Sequence, residues 1–139
     1  GFFTNLASNK ASEIYSNQRT SSTLWWPKLG RQVRIEGTAV EMPRDMVEDY
    51  YQNRPRNSKI AAWASKQSTE LVSMERLHQE FREYEAKFSD KKIPTPTFWG
   101  GFTILVDKVE YWYGKPFRMH ERIILTKEEY GWSKTRIYP

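Results

Sequence analysis

Residues 98–138, FWGGFTILVDKVEYWYGKPFRMHERIILTKEEYGWSKTRIY, decide the fold class of this chain. The stretch is rich in β-branched and aromatic residues, which favour strands, and glycine and proline interrupt it where turns are expected. It predicts four strands in antiparallel succession, at residues 98–106, 108–113, 121–127 and 132–138. Turns are predicted at residues 114–116 and 129–131.

The chain before this stretch predicts three further strands and four helices. Residues 31–42, RQVRIEGTAVEM, alternate between the two faces of a strand, and residues 1–5 and 20–26 are also strand-like. The helices are predicted from a cap or first-turn residue at Ser8, Pro43, Pro55 and Ser73. Strands, then helices, then strands again predict an α+β fold with an antiparallel barrel or sheet.

Composition limits the classes of function. The 139 residues fit one domain, and the absence of cysteine excludes disulfides, zinc thiolates and thiol nucleophiles. The net charge of +5 indicates anionic partners, but the basic residues are scattered, which favours phosphorylated small molecules over nucleic acid. No apolar stretch has the length of a membrane span and no metal-ligand spacing occurs, so we expect a cytoplasmic protein that binds neither membrane nor metal.

The segment RMHER, residues 118–122, is the first candidate site. In an extended strand Arg118, His120 and Arg122 share one face, and two guanidinium groups beside an imidazole suit a planar anionic ligand. A solvated strand edge with acidic partners is the alternative interpretation.

The second candidate is the segment YYQNRPRNS, residues 50–58, at a predicted junction between helices. Arg54 and Ser58 bracket the first turn of the second helix, where free N–H groups attract phosphate, and Tyr50 can add its hydroxyl. An ordinary helix corner with a capping serine is the alternative. Two weaker candidates are the polar segment KQS at residues 66–68 and the segment FWGG at residues 98–101, where glycines permit close approach of a ligand.

Taken in this order, these segments resemble the FMN-dependent pyridoxamine 5′-phosphate oxidases. The matching segments are FTN at 3–5, RQV at 31–33, RPRNS at 54–58, KQS at 66–68, FWGG at 98–101, RMHER at 118–122 and the ending RIYP at 136–139. The family implies an antiparallel split β-barrel with flanking helices, one domain over residues 1–139, that forms a homodimer with FMN at the subunit interface. It also implies a basic strand before Phe2, which this sequence does not contain, so we expect the N-terminal strand of the family to be missing.

The resemblance also assigns residues. The cofactor FMN would be bound by Phe3, Thr4, Ser8, Lys10, Gln32, Gln67, Ser68, Trp99 and Arg122. A small phosphorylated pyridine would be bound by Tyr50, Arg54, Ser58, Arg118 and His120, the last two acting as the catalytic pair that orients C4′. Asn9 stands where the family usually has arginine, so one phosphate contact is expected to be weaker.

The implied activity is oxidation of pyridoxamine 5′-phosphate or pyridoxine 5′-phosphate to pyridoxal 5′-phosphate, with O2 as acceptor, in vitamin B6 metabolism. One alternative is a related flavin oxidase for another planar substrate, of the phenazine-pathway type. The Arg54–Ser58 corner argues against it, because an unphosphorylated substrate does not need that site. A flavin-binding module without turnover is the other alternative.

Overall fold

The computed structural model describes all residues from Gly1 to Pro139 and contains six strands and four helices. The strands are β1 (Phe2–Asn5), β2 (Arg19–Trp26), β3 (Arg31–Glu41), β4 (Trp99–Tyr113), β5 (Glu121–Glu128) and β6 (Gly131–Ile137). The helices are α1 (Asn9–Ser16), α2 (Arg44–Gln52), α3 (Arg56–Ala64) and α4 (Met74–Lys87). None of the helices is both long and apolar enough to cross a membrane.

The chain forms two compact units. Residues 1–16 and 41–103 form the first, which holds all four helices and is called the helical unit below. Residues 17–40 and 104–139 form the second, which is called the sheet unit. Strand β4 contributes its first residues to the helical unit, where they pair antiparallel with β1, and the rest of its length to the sheet unit.

The sheet unit is built from antiparallel neighbours in the order β2-β3-β4-β5-β6. Gly37 on β3 is required by packing, since a Cβ there would overlap the Leu105 carbonyl oxygen on β4. Gly131 begins β6 with φ +109°, a conformation that other residues rarely adopt. The turn predicted at residues 129–131 therefore forms there.

The prediction of two separate strands at residues 98–106 and 108–113 is wrong, because β4 runs through without a break. Asp107, which lies between the two predicted strands, pairs with Arg19 of β2 and remains within the strand. Neither glycine nor proline occurs nearby to end the strand. A charged residue on a half-exposed strand is tolerated when a cation accompanies it.

The helices begin close to the predicted positions. Pro43 and Pro55 precede α2 and α3 rather than occupying their first turns, because their ψ angles of 144° and 143° are extended. The predicted cap at Ser73 is confirmed, since its side chain accepts a hydrogen bond from the Arg76 N–H at 3.2 Å. The predicted cap at Ser8 likewise accepts from the Ala11 N–H, at 3.4 Å.

The core of the helical unit joins α2, α3 and the start of β4. Its buried members are Val47, Tyr51, Ile60, Phe88, Ile93 and Trp99. Helix α4 contributes Phe81 and Tyr84, whereas Met74 at its start is exposed. This packing fixes the junction between α2 and α3, where the second candidate site, residues 50–58, lies.

Candidate functional site

Arg54 lies between α2 and α3 and has a buried nitrogen without a partner. Its guanidinium carbon is 4.9 Å from the centre of the Trp99 ring and 5.9 Å from that of Tyr51. Its Nη1 is buried and makes no hydrogen bond. Leaving a charged donor buried and unsatisfied is costly, so such a group points to an anionic ligand.

A cavity of about 270 Å³ adjoins this guanidinium. Its lining includes Arg54, Ser58, Gln67 and Trp99. Ser58 lies in the first turn of α3, where backbone N–H groups lack helical partners and favour negative charge. The cavity thus brings together Arg54 and Ser58, which were expected to bind substrate, and Gln67 and Trp99, which were expected to bind cofactor.

The two adjacent tyrosines at the end of α2 have different environments. Tyr51 is fully buried, and its hydroxyl donates a hydrogen bond to the Lys59 carbonyl at 2.8 Å. Burial raises the pKa of Tyr51 to about 12, although the positive charge of Arg54 acts to lower it. Tyr50 is 49% exposed, and its ring stacks on Phe3 with a centroid distance of 3.9 Å. Phe3 in turn stacks on Trp99 at 5.1 Å. Of the two hydroxyls, only that of Tyr50 is open to a ligand.

Arg56 lies in the same sequence motif as Arg54 but has a structural role. Its guanidinium donates to the carbonyls of Phe88 and Lys91, just after α4. Phe88 directly follows the last residue of α4, where backbone acceptors lack partners within the helix, and Lys91 lies three residues further along the chain. Arg56 is therefore paired within the fold, whereas Arg54, two positions away, keeps an unpaired Nη1.

Three of the residues expected to bind cofactor form one hydrogen-bonded network. The Thr4 hydroxyl lies 3.2 Å from both Ser8 Oγ and Gln67 Oε1, and it donates to Gln67. Gln67 Oε1 also accepts from the Asn5 N–H at 3.0 Å, while its Nε2 makes no hydrogen bond within the helical unit. Ser8 is fully buried and occupied as a helix cap, which leaves Gln67 as the member able to reach a ligand.

Lys10 and Ser68 are the exposed members of the expected cofactor set. The Lys10 ammonium lies 5.4 Å from the centre of the Phe2 ring, at the start of α1. Ser68 has φ +69°, an unusual conformation for a residue other than glycine. Both side chains are accessible to an anionic ligand.

The remaining expected residues lie in the sheet unit. Gln32 on β3 is half-buried and lines a cavity of about 260 Å³ together with Trp112. Arg122 on β5 donates through Nε to Glu110 at 2.6 Å and through Nη1 to the Tyr138 carbonyl at 3.3 Å. Two nitrogens of the Arg122 guanidinium, Nε and Nη1, therefore already donate hydrogen bonds within the sheet unit.

The prediction that Arg118, His120 and Arg122 share one face of a strand is wrong. Arg118 ends a short 3-10 turn, Pro116–Arg118, in which Phe117 and Arg118 have φ angles of +57° and +61°. The chain therefore reverses before β5 begins at Glu121. Arg118 is therefore placed by a left-handed turn, His120 follows that turn, and only Arg122 lies in a strand.

His120 is held in a defined orientation after this turn. Its Nδ1 accepts a hydrogen bond from the Lys115 N–H at 3.2 Å, and its ring centroid lies 4.6 Å from that of Trp112. Because Nδ1 is the acceptor, the neutral ring carries its proton on Nε2. This geometry assigns His120 a free N–H donor.

Comparison with known proteins gives the family. The family model described as pyridoxamine 5′-phosphate oxidase matches residues 1–88. The chain belongs to this family. A second model, described as the pyridoxine 5′-phosphate oxidase C-terminal dimerisation region, matches residues 99–139. The resemblance inferred from the sequence segments is thereby confirmed.

Similar curated proteins bear the same family name. Pyridoxine/pyridoxamine 5′-phosphate oxidase of Leptospira biflexa is 39% identical over 138 residues, which cover 99% of this chain and 65% of that protein. The enzyme of the same name from Proteus mirabilis is 43% identical over 138 residues, covering 99% of this chain and 64% of that protein. The chain thus spans about 65% of the length of these relatives.

Two solved structures are similar. PhzG from Burkholderia lata 383, in complex with tetrahydrophenazine-1-carboxylic acid, has a TM-score of 0.91 and 27% identity, covering 99% of this chain and 67% of that one. A pyridoxamine 5′-phosphate oxidase-related, FMN binding protein from Nostoc punctiforme has a TM-score of 0.76 and 14% identity, covering 99% of this chain and 71% of that one. Both confirm the predicted fold class, and the second bears on the fold alone.

Sequence reasoning missed Arg44, which bonds to the backbone of Trp99, one of the residues expected to bind cofactor. Its Nη1 donates to the Trp99 carbonyl at 2.9 Å, and its Nη2 donates to the carbonyls of Thr95 and Pro96, each at 3.1 Å. These bonds hold the segment before β4 against the start of α2. No local pattern reveals them, because the partners are more than fifty residues away in sequence.

The Glu110–Arg122 pair predicts a loss of stability in acid. The hydrogen bond from Arg122 outweighs the burial of the carboxyl and holds the pKa of Glu110 below its ordinary value of 4.5. A lowered folded-state pKa stabilises the folded chain above the unfolded-state pKa, and this contribution is lost as the pH falls through the folded-state value. Urea unfolding of Glu110→Gln should show about 1–3 kcal/mol lower stability at neutral pH and a shallower decline below about pH 4.5. Parallel acid profiles for both proteins would refute this.

Proposed function

We propose that this chain carries the active site of an FMN-dependent oxidase that converts pyridoxamine 5′-phosphate or pyridoxine 5′-phosphate to pyridoxal 5′-phosphate. The observation that carries the proposal is the buried, unpaired Nη1 of Arg54 beside the cavity that Ser58 lines. A phosphate dianion satisfies such a guanidinium through charge-assisted hydrogen bonds. Family membership supports the reaction class.

The residues present fit FMN as the cofactor. Lys10 offers a cation for its phosphate, Ser68 offers a hydroxyl group, and Gln67 offers the amide donors that its network leaves free. Gln32 and Arg122, which belong to the sheet unit, are also assigned to FMN by the family resemblance. Bound FMN would supply a two-electron acceptor for the hydride lost from the substrate C4′, and O2 would reoxidise it to give H2O2. With pyridoxamine 5′-phosphate, water then displaces ammonia from C4′ to leave the aldehyde.

The protein's own contribution is to bind and orient the substrate. Arg54 and Ser58 hold its phosphate, and Tyr50 adds a hydroxyl at the same corner. His120 presents its Nε2 proton as a donor to the pyridine ring, because Nδ1 is occupied by the Lys115 N–H. Arg118 supplies a positive charge beside that ring. No strong general base is required of the protein when the substrate ring assists.

A phenazine-type oxidase is the second candidate, and the similarity to PhzG favours it. The ligand in that structure is a carboxylic acid, and a carboxylate also suits an arginine. The two candidates differ in whether the anion at Arg54 is a phosphate. Turnover should depend on the substrate phosphate under the first proposal, whereas a planar carboxylic acid without a phosphate should be oxidised under the second.

We expect the purified chain to bind one FMN per subunit. Titration of the apoprotein should quench the flavin fluorescence and shift its visible absorption, because the ring leaves water for a protein site. Glu13→Gln, on the exposed side of α1, serves as a control that keeps this affinity. A chain whose addition leaves the flavin spectrum as it is in water would contradict the cofactor assignment.

We also expect a homodimer in solution. The sheet unit exposes six aromatic side chains to at least about 40%: Trp25, Trp26, Phe117, Tyr130, Trp132 and Tyr138. Large exposed apolar patches mark association surfaces, and four of these residues lie in the matched dimerisation region. Sedimentation velocity should give a mass of two chains. A monomer that binds FMN stoichiometrically would contradict the proposal.

A further inference from the structure

Glu80 on α4 ion-pairs with two cations, Lys66 in the loop after α3 and Arg76 on its own helix. Its Oε1 lies 3.4 Å from Lys66 Nζ and 3.1 Å from Arg76 Nε, and its side chain is only 14% exposed. Although burial opposes ionisation, the hydrogen bonds and charges of Lys66 and Arg76 lower the pKa of Glu80. The carboxylate is thus charged and shared between its own helix and the loop after α3.

Lys66 begins a tight turn that is unfavourable by itself. The Lys66 carbonyl accepts from the Thr69 N–H at 3.1 Å and from Thr69 Oγ1 at 2.7 Å. Inside this turn Ser68 has φ +69°, the left-handed conformation that costs free energy for a residue with a side chain. A strained conformation persists only where surrounding contacts hold it.

The turn continues into the cofactor network through Gln67. Gln67 Oε1 accepts from the Asn5 N–H at 3.0 Å and from the Thr4 hydroxyl at 3.2 Å. A continuous series of contacts therefore leads from Glu80 on α4, through the turn at residues 66–69, to β1. After the turn the loop is open to solvent, with Val72 91% exposed, so few other contacts are available to fix it.

We propose that Glu80 is a positioning residue: through Lys66 it holds the turn at residues 66–69 in the conformation that presents Gln67 and Ser68 to the cofactor. The identity of the cofactor rests on the proposed function above. The positioning of the turn rests on the contacts alone. The two statements can therefore fail separately.

The test compares Glu80→Gln with Glu83→Gln. Both substitutions remove one carboxylate from α4, but Glu83 accepts from Gln79 within its own helix, at 2.9 Å, and has no contact with the turn. We expect Glu80→Gln to raise the Kd for FMN about threefold to tenfold, as for other coupled charged contacts, and Glu83→Gln to leave it unchanged.

Amide hydrogen exchange provides the readout that general destabilisation would not reproduce. Glu80→Gln should accelerate exchange of the Thr69 and Asn5 amides, which report the turn and its contact with β1. The Phe88 amide, which donates to the Tyr84 carbonyl at the end of α4, should keep its protection. Wild-type protection of Thr69 in Glu80→Gln would overturn the proposal, whatever happens to FMN affinity.

Substitutions at Lys66 complete the test. Lys66→Arg should preserve FMN affinity because the charge remains, whereas Lys66→Met should weaken it about as much as Glu80→Gln does. The double variant should be no weaker than either single variant, since both remove the same contact. Fully additive losses would overturn the proposal. If the wild-type chain fails to bind FMN, the proposed function fails, and exchange at Thr69 and Asn5 still decides the role of Glu80.

Discussion

Alanine replacement of Arg118 or His120 is expected to lower kcat/KM about 100-fold while the melting temperature and the bound flavin remain close to wild type. The reason is that both residues are assigned to orienting the substrate ring, and misplacement by about 1 Å can cost a factor of this size. Arg118 is exposed and lies in the turn before β5, so its loss removes little packing. Steady-state kinetics together with a thermal melt measure both quantities.

A matched variant separates the substrate role of His120 from its role in the turn. In His120→Asn the amide oxygen can replace Nδ1 as acceptor for the Lys115 N–H, but the Nε2 donor is lost. We expect this variant to keep the melting temperature and to lose turnover as His120→Ala does. If both residues only form local structure, stability changes by about 1 kcal/mol and turnover hardly changes. That result would remove them from the site.

Replacing Arg54 with alanine is expected to weaken substrate binding by about 1.5–3 kcal/mol, the usual value for a lost charge-assisted bond. This corresponds to an increase in KM of about 10- to 150-fold, with FMN still bound. The expectation follows from the unpaired Nη1 beside the cavity that Ser58 lines. Kinetics with the phosphorylated substrate and flavin absorbance measure the two effects.

Arg56→Ala is the matched control for this substitution. It removes the same side chain two positions away, where the guanidinium donates to the Phe88 and Lys91 carbonyls. We expect it to lower the melting temperature while KM stays near wild type. An Arg54→Ala protein that loses its flavin but keeps substrate affinity would show that Arg54 belongs to the cofactor site.

Local patterns predicted most of the secondary structure. The alternation of apolar and polar residues predicted β3, and the capping serines predicted the starts of α1 and α4, because these signals depend on neighbours in the sequence. The number of strands after α4 was wrong because Asp107 is accommodated by Arg19, which lies 88 residues away. An ion pair between residues so far apart in sequence cannot be predicted from the residues that surround either partner.

For the candidate site residues too, local sequence signals predicted some placements correctly and missed those that depend on distant contacts or on an unusual backbone conformation. Arg54 and Ser58 were grouped from the helix start between them, and the structure brings both to one cavity. The common face assigned to Arg118 and His120 failed because two consecutive left-handed residues reverse the chain there, and neither Phe117 nor Arg118 is a residue type that predicts such a turn. Glu80 was passed over because its partner Lys66 lies outside its own helix.

The most direct test of the central claim is the oxidation of pyridoxamine 5′-phosphate and pyridoxine 5′-phosphate by the purified, FMN-loaded chain in air. The account predicts formation of pyridoxal 5′-phosphate, measured by its absorbance, with one H2O2 for each product molecule and inhibition by inorganic phosphate. Unphosphorylated pyridoxamine should react far more slowly, because it leaves Arg54 without its anion. Flavin binding without product, or equal rates with and without the substrate phosphate, would contradict the account.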